Sequence, residues 1–331
     1  MTEYIRITDR IPLHGCIAFG IIDRGTNVLQ VRPSTECPLS CTFCSTDAGP
    51  CSTMRAAEYI VDLQHLVDSF REAARRKGVN DIEAHIDTVG EPAAYPELVE
   101  LVAALADTKN VKVVSMQSNG VLLDDRLLSD LDAGGLSRIN LSIEALDPVL
   151  AKKIGGRNYP LGRVLENAEY ITASTGIDLL IAPVWLPGIN DAEMPGLIEY
   201  AKKIGAGRRY PPLGIQKYLP HKYGRKPAVK VMSWDLFYSK LSMLEKEHGV
   251  KLVLSPSDFG SYRCNPLPRV FRRHERASVE VLGQGWMKGE KLAQARDRLI
   301  TVVGGGKIRA GSHIDVRMER VVDGIYIASP L

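Results

Sequence analysis

The 331-residue chain contains no run of about eighteen apolar residues, so no segment reads as a membrane-spanning helix. It has little net charge: 42 Lys and Arg stand against 39 Asp and Glu, and a balance of +3 selects no polyanionic partner by itself. The first residues, MTEYIRITDR, carry acids and lack an apolar h-region, which excludes a secretory signal and points to a cytoplasmic protein. Repeats and low-complexity tracts are absent. Cysteine is scarce, with six in all, yet four of them crowd into TECPLSCTFCSTDAGPC, residues 35 to 51. In a reducing compartment clustered thiols read as metal ligands before disulfides.

Alternation dominates the rest. VLQVRP (28–33) reads as a strand and AEYIVDLQHLVDSFREAARRKG (57–78) as a helix. DIEAHID (81–87), VKVVSMQ (111–117), SRINLSI (137–143), IDLLIAPVW (177–185), LGIQKYL (213–219) and KLVLSP (251–256) read as further strands. Helical periodicity falls between them at 96–107, 124–135, 163–174, 191–205 and 233–249. Strand–helix alternation at this spacing requires parallel pairing and right-handed crossovers. The fold class is therefore α/β, a barrel, complete or partial, whose chemistry gathers where strands end and loops begin. After about residue 270 the pattern changes to Gly-punctuated strands without a long helix, which suits a small all-β barrel. The expected division is an N-terminal extension folded as a β-hairpin (1–27), the α/β barrel (28–268), and a linker with the small barrel (269–331).

Cys37, Cys41 and Cys44 follow directly on the first barrel strand. Three thiolates can hold three irons of a cubane and leave the fourth open. Zinc is the competing reading, but zinc sites favour paired C-x2-C units and no second pair exists; buried metal-free thiols are a third. CPLSCTFC resembles the C-x3-C-x2-C motif of the radical S-adenosylmethionine (SAM) superfamily, including the aromatic Phe43 before the last cysteine. The resemblance implies a 4Fe-4S cluster whose open iron binds the amino and carboxylate groups of SAM. It implies reductive cleavage of SAM to methionine and a 5′-deoxyadenosyl radical, with ferredoxin or flavodoxin as electron donor.

Further motifs recur in order. VGEPAAYP (89–96) resembles the GGEP element, which implies SAM contacts through the backbone of Gly90 and Glu91, with Pro92 fixing the turn; Val89 stands where the family usually has glycine. MQSNGVLL (116–123) resembles the family's TNG turn and places Asn119, although Asn-Gly is also a plain turn signal. INLSIEALDP (139–148) resembles the segment in which a serine and an acid reach the SAM ribose and carboxylate, here Ser142 and Glu144. APVWLPGIND (182–191) resembles the region packed on adenine. Cys264 and then Cys51 are the candidates for a catalytic thiol, against the reading of Cys16, Cys51 and Cys264 as small buried hydrophobes.

The substrate reading rests on charge placement. Residues 202 to 230 hold nine Lys and Arg and no acid, interleaved with tyrosines. Arg208, Arg209, Lys217, Lys222, Arg225 and Lys226 from this run, with Arg272 and Arg273 of the linker, are the expected RNA contacts. The C-terminal segment resembles a TRAM (OB-like) domain, with Arg296 and Arg298 in its centre, although its balance is only nine basic against seven acidic residues over 275–331. Radical SAM joined to TRAM is similar to tRNA methylthiotransferases. Only 36 residues, containing Cys16 alone, precede Cys37, which speaks against the three extra cluster cysteines of those enzymes. These resemblances together imply an archaeal-type radical SAM enzyme, with a partial (βα)6 barrel and a small C-terminal TRAM-like barrel, that modifies an unactivated carbon in RNA, most directly tRNA. Modification of a peptide or small metabolite, with the barrel as a docking module, and a non-catalytic iron–sulfur RNA-binding protein are the alternatives. Removal of residues 275–331 is expected to weaken tRNA binding far more than it weakens SAM cleavage without substrate, since the α/β barrel alone carries the cluster.

Overall fold

The computed structural model describes residues 2–156 and 159–331. The chain opens with β1 (Glu3–Ile7), β2 (Gly20–Asp23) and β3 (Val28–Arg32), followed after the cysteine loop by β4 (Ala57–Val61) and α1 (Leu63–Lys77). Then come β5 (Ile82–Ile86), α2 (Leu98–Ala106), β6 (Val111–Ser118), α3 (Asp125–Ala133), β7 (Arg138–Leu141), α4 (Pro148–Gly155), α5 (Leu161–Ser174) and β8 (Asp178–Ile181). The α/β part closes with β9 (Val184–Trp185), α6 (Glu193–Lys203), β10 (Gln216–Lys217) and α7 (Trp234–His248). β11 (Arg276–Gln284), β12 (Glu290–Ala295), β13 (Arg298–Val303), β14 (His313–Val322) and β15 (Ile325–Pro330) complete the chain.

A six-stranded sheet in the order β2-β3-β5-β6-β7-β8 forms the open barrel. β2 is antiparallel to β3, and the remaining pairings are parallel. One face is apolar and fully buried: Leu29 and Val31, Ala84 and Ile86, Val114 and Met116, Ile139 and Leu141. The opposite face is polar. Gln30 pairs with His85, His85 with Ser115, Ser115 with Arg138, and Gln117 with Asn140. A second short parallel pair, β9 with β10, continues beyond the sheet.

Four expectations are revised. Residues 57–61 form a strand, parallel to β1, and the helix starts at Leu63 behind the Asp62 cap, whose carboxylate accepts from the His65 amide. The run AEYIV is aromatic and β-branched, so its apolar residues satisfy period 2 as well as 3.6. The N-terminal extension is not a hairpin of its own: β1 pairs with β4, and β2 makes its hairpin with β3. KLVLSP is no strand, because Glu245 at the end of α7 accepts the amides of Leu252 (2.7 Å) and Val253 (2.9 Å) and ties that segment to the helix. LGIQKYL contributes only β10 and a bridge from Leu213 to Ile181.

The small barrel is closed, in the order β11-β12-β13-β15-β14. Its core joins Val279, Val281, Ile300, Val316 and Met318 to Phe271, which packs edge-on against Tyr326 with centroids 5.2 Å apart. Part of the expected linker is therefore barrel core.

Candidate active site

The cysteine loop leaves the C-terminal end of β3 and is held from several sides. Thr35 donates its amide to Tyr59 O (3.0 Å), and its hydroxyl accepts from the Tyr59 amide (2.8 Å), so the loop springs from a fixed strand pair. Behind it lies the Arg55 guanidinium, which is fully buried. It donates to both Glu58 oxygens (3.1 and 3.0 Å), Thr35 O (2.5 Å), Thr46 O (3.0 Å) and Val89 O. A buried cation is tolerated only when its donors are met, and here they are. Asp47, with left-handed backbone (φ 51°), accepts the amides of Thr53 (2.7 Å) and Met54 (2.8 Å) and closes the loop on itself. Burial would raise its carboxyl, but those amides and the Arg225 charge hold it below its ordinary range.

Arg225 staples the loop from above. Its guanidinium meets Asp47 Oδ1 (2.9 Å), Cys41 O (3.1 Å) and Ala48 O (2.7 Å), and its amide donates to Cys44 O (2.8 Å). Two glycines permit the close packing. A Cβ at Gly49 would lie 1.7 Å from Leu39 O, and one at Gly90 would lie 2.0 Å from Glu36 O. The Glu91 amide then donates to Glu36 O (2.7 Å), binding the GEP turn to the loop.

Cys37, Cys41 and Cys44 are partly buried. Burial pushes the Cys37 thiol up to about 12, and Cys41 is raised by burial and then by the Glu144 charge. Such thiols keep their protons unless a metal supplies positive charge. Among the described residues no three His, Cys, Asp or Glu side chains converge on one point as a single ion requires. A cubane instead takes each thiolate on a separate iron, so a three-cysteine loop fits it better than it fits zinc. The Ala48 amide donates to Cys44 Sγ (3.2 Å) and Asn119 Nδ2 approaches Cys37 Sγ (3.8 Å), both favourable to thiolates.

Around the cysteines stand the expected SAM residues. The Glu91 side chain does not face a ligand: it is 1% exposed and accepts from Ser118 Oγ (2.7 Å), the Asn119 amide (2.7 Å) and the Ala93 amide (3.0 Å). It braces the end of β5 to the end of β6 and so positions Asn119. Pro92 opens the short helical turn after Gly90, and Phe43 packs against the core with a partly exposed edge. Val89 turns its side chain inward, and its carbonyl is held by Arg55 and Thr46. Ser142 accepts from Gln117 Nε2 (3.0 Å). Glu144 is 6% exposed, and its Oε1 has no protein partner. Burial lifts its carboxyl to about 7. An orphaned carboxylate beside the cysteine loop is a seat for a cationic or hydrogen-bond-donating ligand, and SAM carries both kinds of group.

Below the mouth runs the polar face of the sheet, its lumen face because it lies opposite the helix-covered core. Ser115 donates to Glu83 (2.5 Å), so His85 Nδ1 donates to Ser115 Oγ (2.7 Å), and the imidazole is left with its Nε2 lone pair. Burial keeps His85 neutral. Arg138 closes the lower end. It binds Glu83 (2.5 Å) and lies over the Tyr210 ring at 4.4 Å. None of these residues was expected at the site. The signal lay in the alternation I-E-A-H-I-D and R-I-N-L-S, since a parallel strand covered on both faces should be continuously apolar.

Other expected sites move. Cys264 is not near the cysteine loop: its amide donates to Gly25 O (3.0 Å) before β3, at the opposite end of that strand. Cys51 is exposed, with its amide on Ser40 Oγ (3.1 Å), and Cys16 is buried. Arg208 donates to the carbonyls of Ile171, Thr172, Thr175 and Ile177 at the end of α5, and Arg209, with its side chain more than half exposed, to Ser137 O and Gly176 O. Arg225 belongs to the cysteine loop. Lys217 lies over Trp234 (4.7 Å) and Lys222 over Tyr223 (4.8 Å), while Lys226, Arg272 and Arg273 are exposed.

The model of the "Radical SAM superfamily" matches residues 31–201. "Uncharacterized protein MJ0103" of Methanocaldococcus jannaschii is 40% identical over 346 residues, covering 98% of this chain and 80% of that protein. GTP 3',8-cyclases match a shorter segment. That of Aquifex aeolicus is 25% identical over 57% of each chain, and that of Paenarthrobacter nicotinovorans 29% identical over 58% of this chain and 53% of the enzyme. The match thus spans about half the length of these cyclases. Among solved structures, a radical SAM methyltransferase from Sphaerobacter thermophilus superposes with TM-score 0.53 at 16% identity, over 69% of this chain and 65% of that one. The hydrogenase maturase HydG from Carboxydothermus hydrogenoformans gives 0.53 at 18% identity, over 66% and 50%. With the cysteine loop, the GEP turn and the open barrel in place, the chain belongs to the radical SAM superfamily, whose members use a 4Fe-4S cluster and SAM.

Proposed function

We propose that this enzyme modifies an RNA nucleotide, most directly in tRNA, with Cys37, Cys41 and Cys44 holding the cluster and Ser142, Glu144, Asn119 and the Gly90–Pro92 turn holding SAM. When bound, the cluster supplies the electron that breaks SAM into methionine and a 5′-deoxyadenosyl radical. The observation that carries the substrate reading is the polar lumen beneath the SAM residues. Gln117, Asn140 and Ser142 at its upper end, and His85 deeper in, offer the amide, hydroxyl and imidazole groups that read the edge of an extruded nucleobase. Exposed lysines flank the cysteine loop: Lys222 and Lys226 beside Arg225, and Lys152 and Lys153 beside Ile154, whose carbonyl accepts the Thr42 amide (2.8 Å). They suit phosphates on either side of an inserted base.

The names of the cyclase relatives favour a second reading, a free nucleoside triphosphate in the same lumen. Anaerobically reconstituted, reduced enzyme should form 5′-deoxyadenosine faster with tRNA from a strain lacking the gene than with tRNA from the parent strain. The recovered tRNA should then contain a nucleoside of altered mass. Stimulation by GTP alone would select the second reading, and stimulation by neither would overturn both.

A further inference from the structure

A cavity lies beside the end of β3 opposite the cysteine loop. Its walls are the β2–β3 turn (Asp23–Thr26), the strap 263–269 and the β14–β15 turn of the small barrel, and its volume is about 490 Å³. That is within the range of about 300–1,000 Å³ occupied by small-molecule sites. Backbone contacts fix the walls. Cys264 N donates to Gly25 O (3.0 Å), Leu299 N to His14 O (2.7 Å) and Tyr326 N to Gly15 O (3.0 Å). Gly15, at φ 116°, permits this approach, since a Cβ there would lie 2.1 Å from Leu299 O.

The lining carries positive charge in excess of its acids. Asp23 is fully engaged by Lys77 Nζ (2.7 Å) and by the amides of Gly25 (2.8 Å) and Leu267 (2.7 Å). Asp323 pairs with Arg24 (2.7 Å). Arg263 and Arg269 have no side-chain partner among the described residues. Arg298 is only 9% exposed; it donates to Asp297 O (2.7 Å), but among the described residues its one carboxylate within 4 Å, that of Asp297, is 3.6 Å away and 87% exposed. A nearly buried guanidinium with so weak a counter-charge is costly unless an anion completes it. His14 lines the same cavity as a neutral hydrogen-bonding group, held down to about 4 by burial and by the Arg298 charge. Planar guanidinium forks match phosphate oxygens in pairs.

We infer that this cleft is a second ligand site, separate from the SAM site, in which Arg263, Arg269 and Arg298 bind the phosphates of an anionic ligand. Because β3 separates it from the cysteine loop, a ligand here does not touch SAM. The inference holds whichever substrate the lumen takes. Two sources share the chemistry, a free nucleotide and the backbone of an RNA strand.

The test uses reconstituted full-length enzyme with SAM present, and binding to tripolyphosphate, GTP and a fluorescein-labelled RNA 12-mer is measured at low salt. Arg263→Glu/Arg269→Glu, both surface changes, and Arg298→Gln should each weaken the bound probe at least tenfold. SAM cleavage without substrate should stay at the wild-type rate. The distant exposed pair Lys109→Glu/Arg126→Glu, with the same charge change, gauges the general electrostatic effect and should weaken binding far less. Binding of tripolyphosphate and GTP assigns a nucleotide, and binding of RNA alone assigns a strand. If the wild type binds none of the three, or the cleft variants bind as it does, or the distant pair matches them, the inference falls. Failure of RNA to stimulate 5′-deoxyadenosine formation would overturn the proposed substrate and leave this site standing.

Discussion

Glu144 is buried beside the cysteine loop with one carboxylate oxygen, Oε1, that no protein donor meets. A buried carboxylate oxygen without a donor costs stability, and such sites persist where a ligand needs them. Glu144→Gln removes the charge and keeps the shape. It should weaken SAM binding by about 1.5–3 kcal/mol, roughly ten- to a hundredfold, the cost of a lost hydrogen bond to a charged group. The same change should leave the melting temperature of the SAM-free protein unchanged or raised. Equilibrium dialysis with labelled SAM and calorimetry read the two effects, and wild-type SAM affinity in the variant would refute the placement. Arg225 sits at the same scale. As an RNA contact it would be replaceable by lysine, but as the staple of Asp47, Cys41 and Ala48 it needs its fork. Arg225→Lys and Arg225→Ala should both retain secondary structure yet hold less iron after reconstitution, approaching the loss in Cys41→Ala. Full iron content, about four per chain for a cubane, with lowered RNA affinity would restore the RNA role.

Among the elements, the strands of the open barrel carry two messages at once. Their apolar residues build the helix-covered core, and their polar residues, two apart, build the lumen. Five of these six strands, β3 and β5 to β8, were legible from the residues, as were the loop after β3 and the GEP turn, because short motifs and period-2 runs are local. What was not legible depends on partners distant in sequence. AEYIV reads equally as strand or helix until β1 supplies hydrogen bonds, and KLVLSP reads as a strand until Glu245 takes its amides. The basic run 202–230 looked like one patch. In three dimensions its arginines separate into a helix-end cap, a sheet-end contact and a cluster staple. The lumen floor makes its own prediction. Arg138 and Glu83 are both nearly buried and joined at 2.5 Å. Arg138→Ala should cost about 3–5 kcal/mol by leaving the buried Glu83 charge with no cation and only the Ser115 hydroxyl as donor, whereas Glu83→Gln/Arg138→Met should recover most of that loss. Urea denaturation of the three proteins decides it. Equal destabilisation by the single and double changes would mean that packing over Tyr210, and not charge, holds the floor.

At the scale of the whole molecule, the small barrel is part of the wall behind the cysteine loop. Ala56 N and Ala57 N donate to Trp286 O (2.8 and 3.3 Å), Lys288 N to Met54 O (2.9 Å), and Tyr59 Oη to Gln284 O (2.8 Å). The Trp286 ring lies 5.1 Å from the Arg55 guanidinium, which in turn holds Thr35, Thr46 and Val89. The premise that the α/β barrel alone carries the cluster therefore needs revision, and a large loss of SAM cleavage on removal of residues 275–331 is expected. Their loss would open the buried Arg55–Glu58 pair to water and free the amides of residues 56 and 57 from their acceptor. Deleting 275–331 should lower both retained iron and 5′-deoxyadenosine formation, and Trp286→Ala should do so in part while leaving the barrel folded. A cation–π contact of this kind contributes about 0.5–2 kcal/mol, and loss of the buried ring adds to it. Iron content, thermal unfolding and SAM cleavage should fall together, because one network supports all three. A truncated protein that keeps about four irons and cleaves SAM at the full rate would show that the cysteine loop stands on the α/β barrel alone.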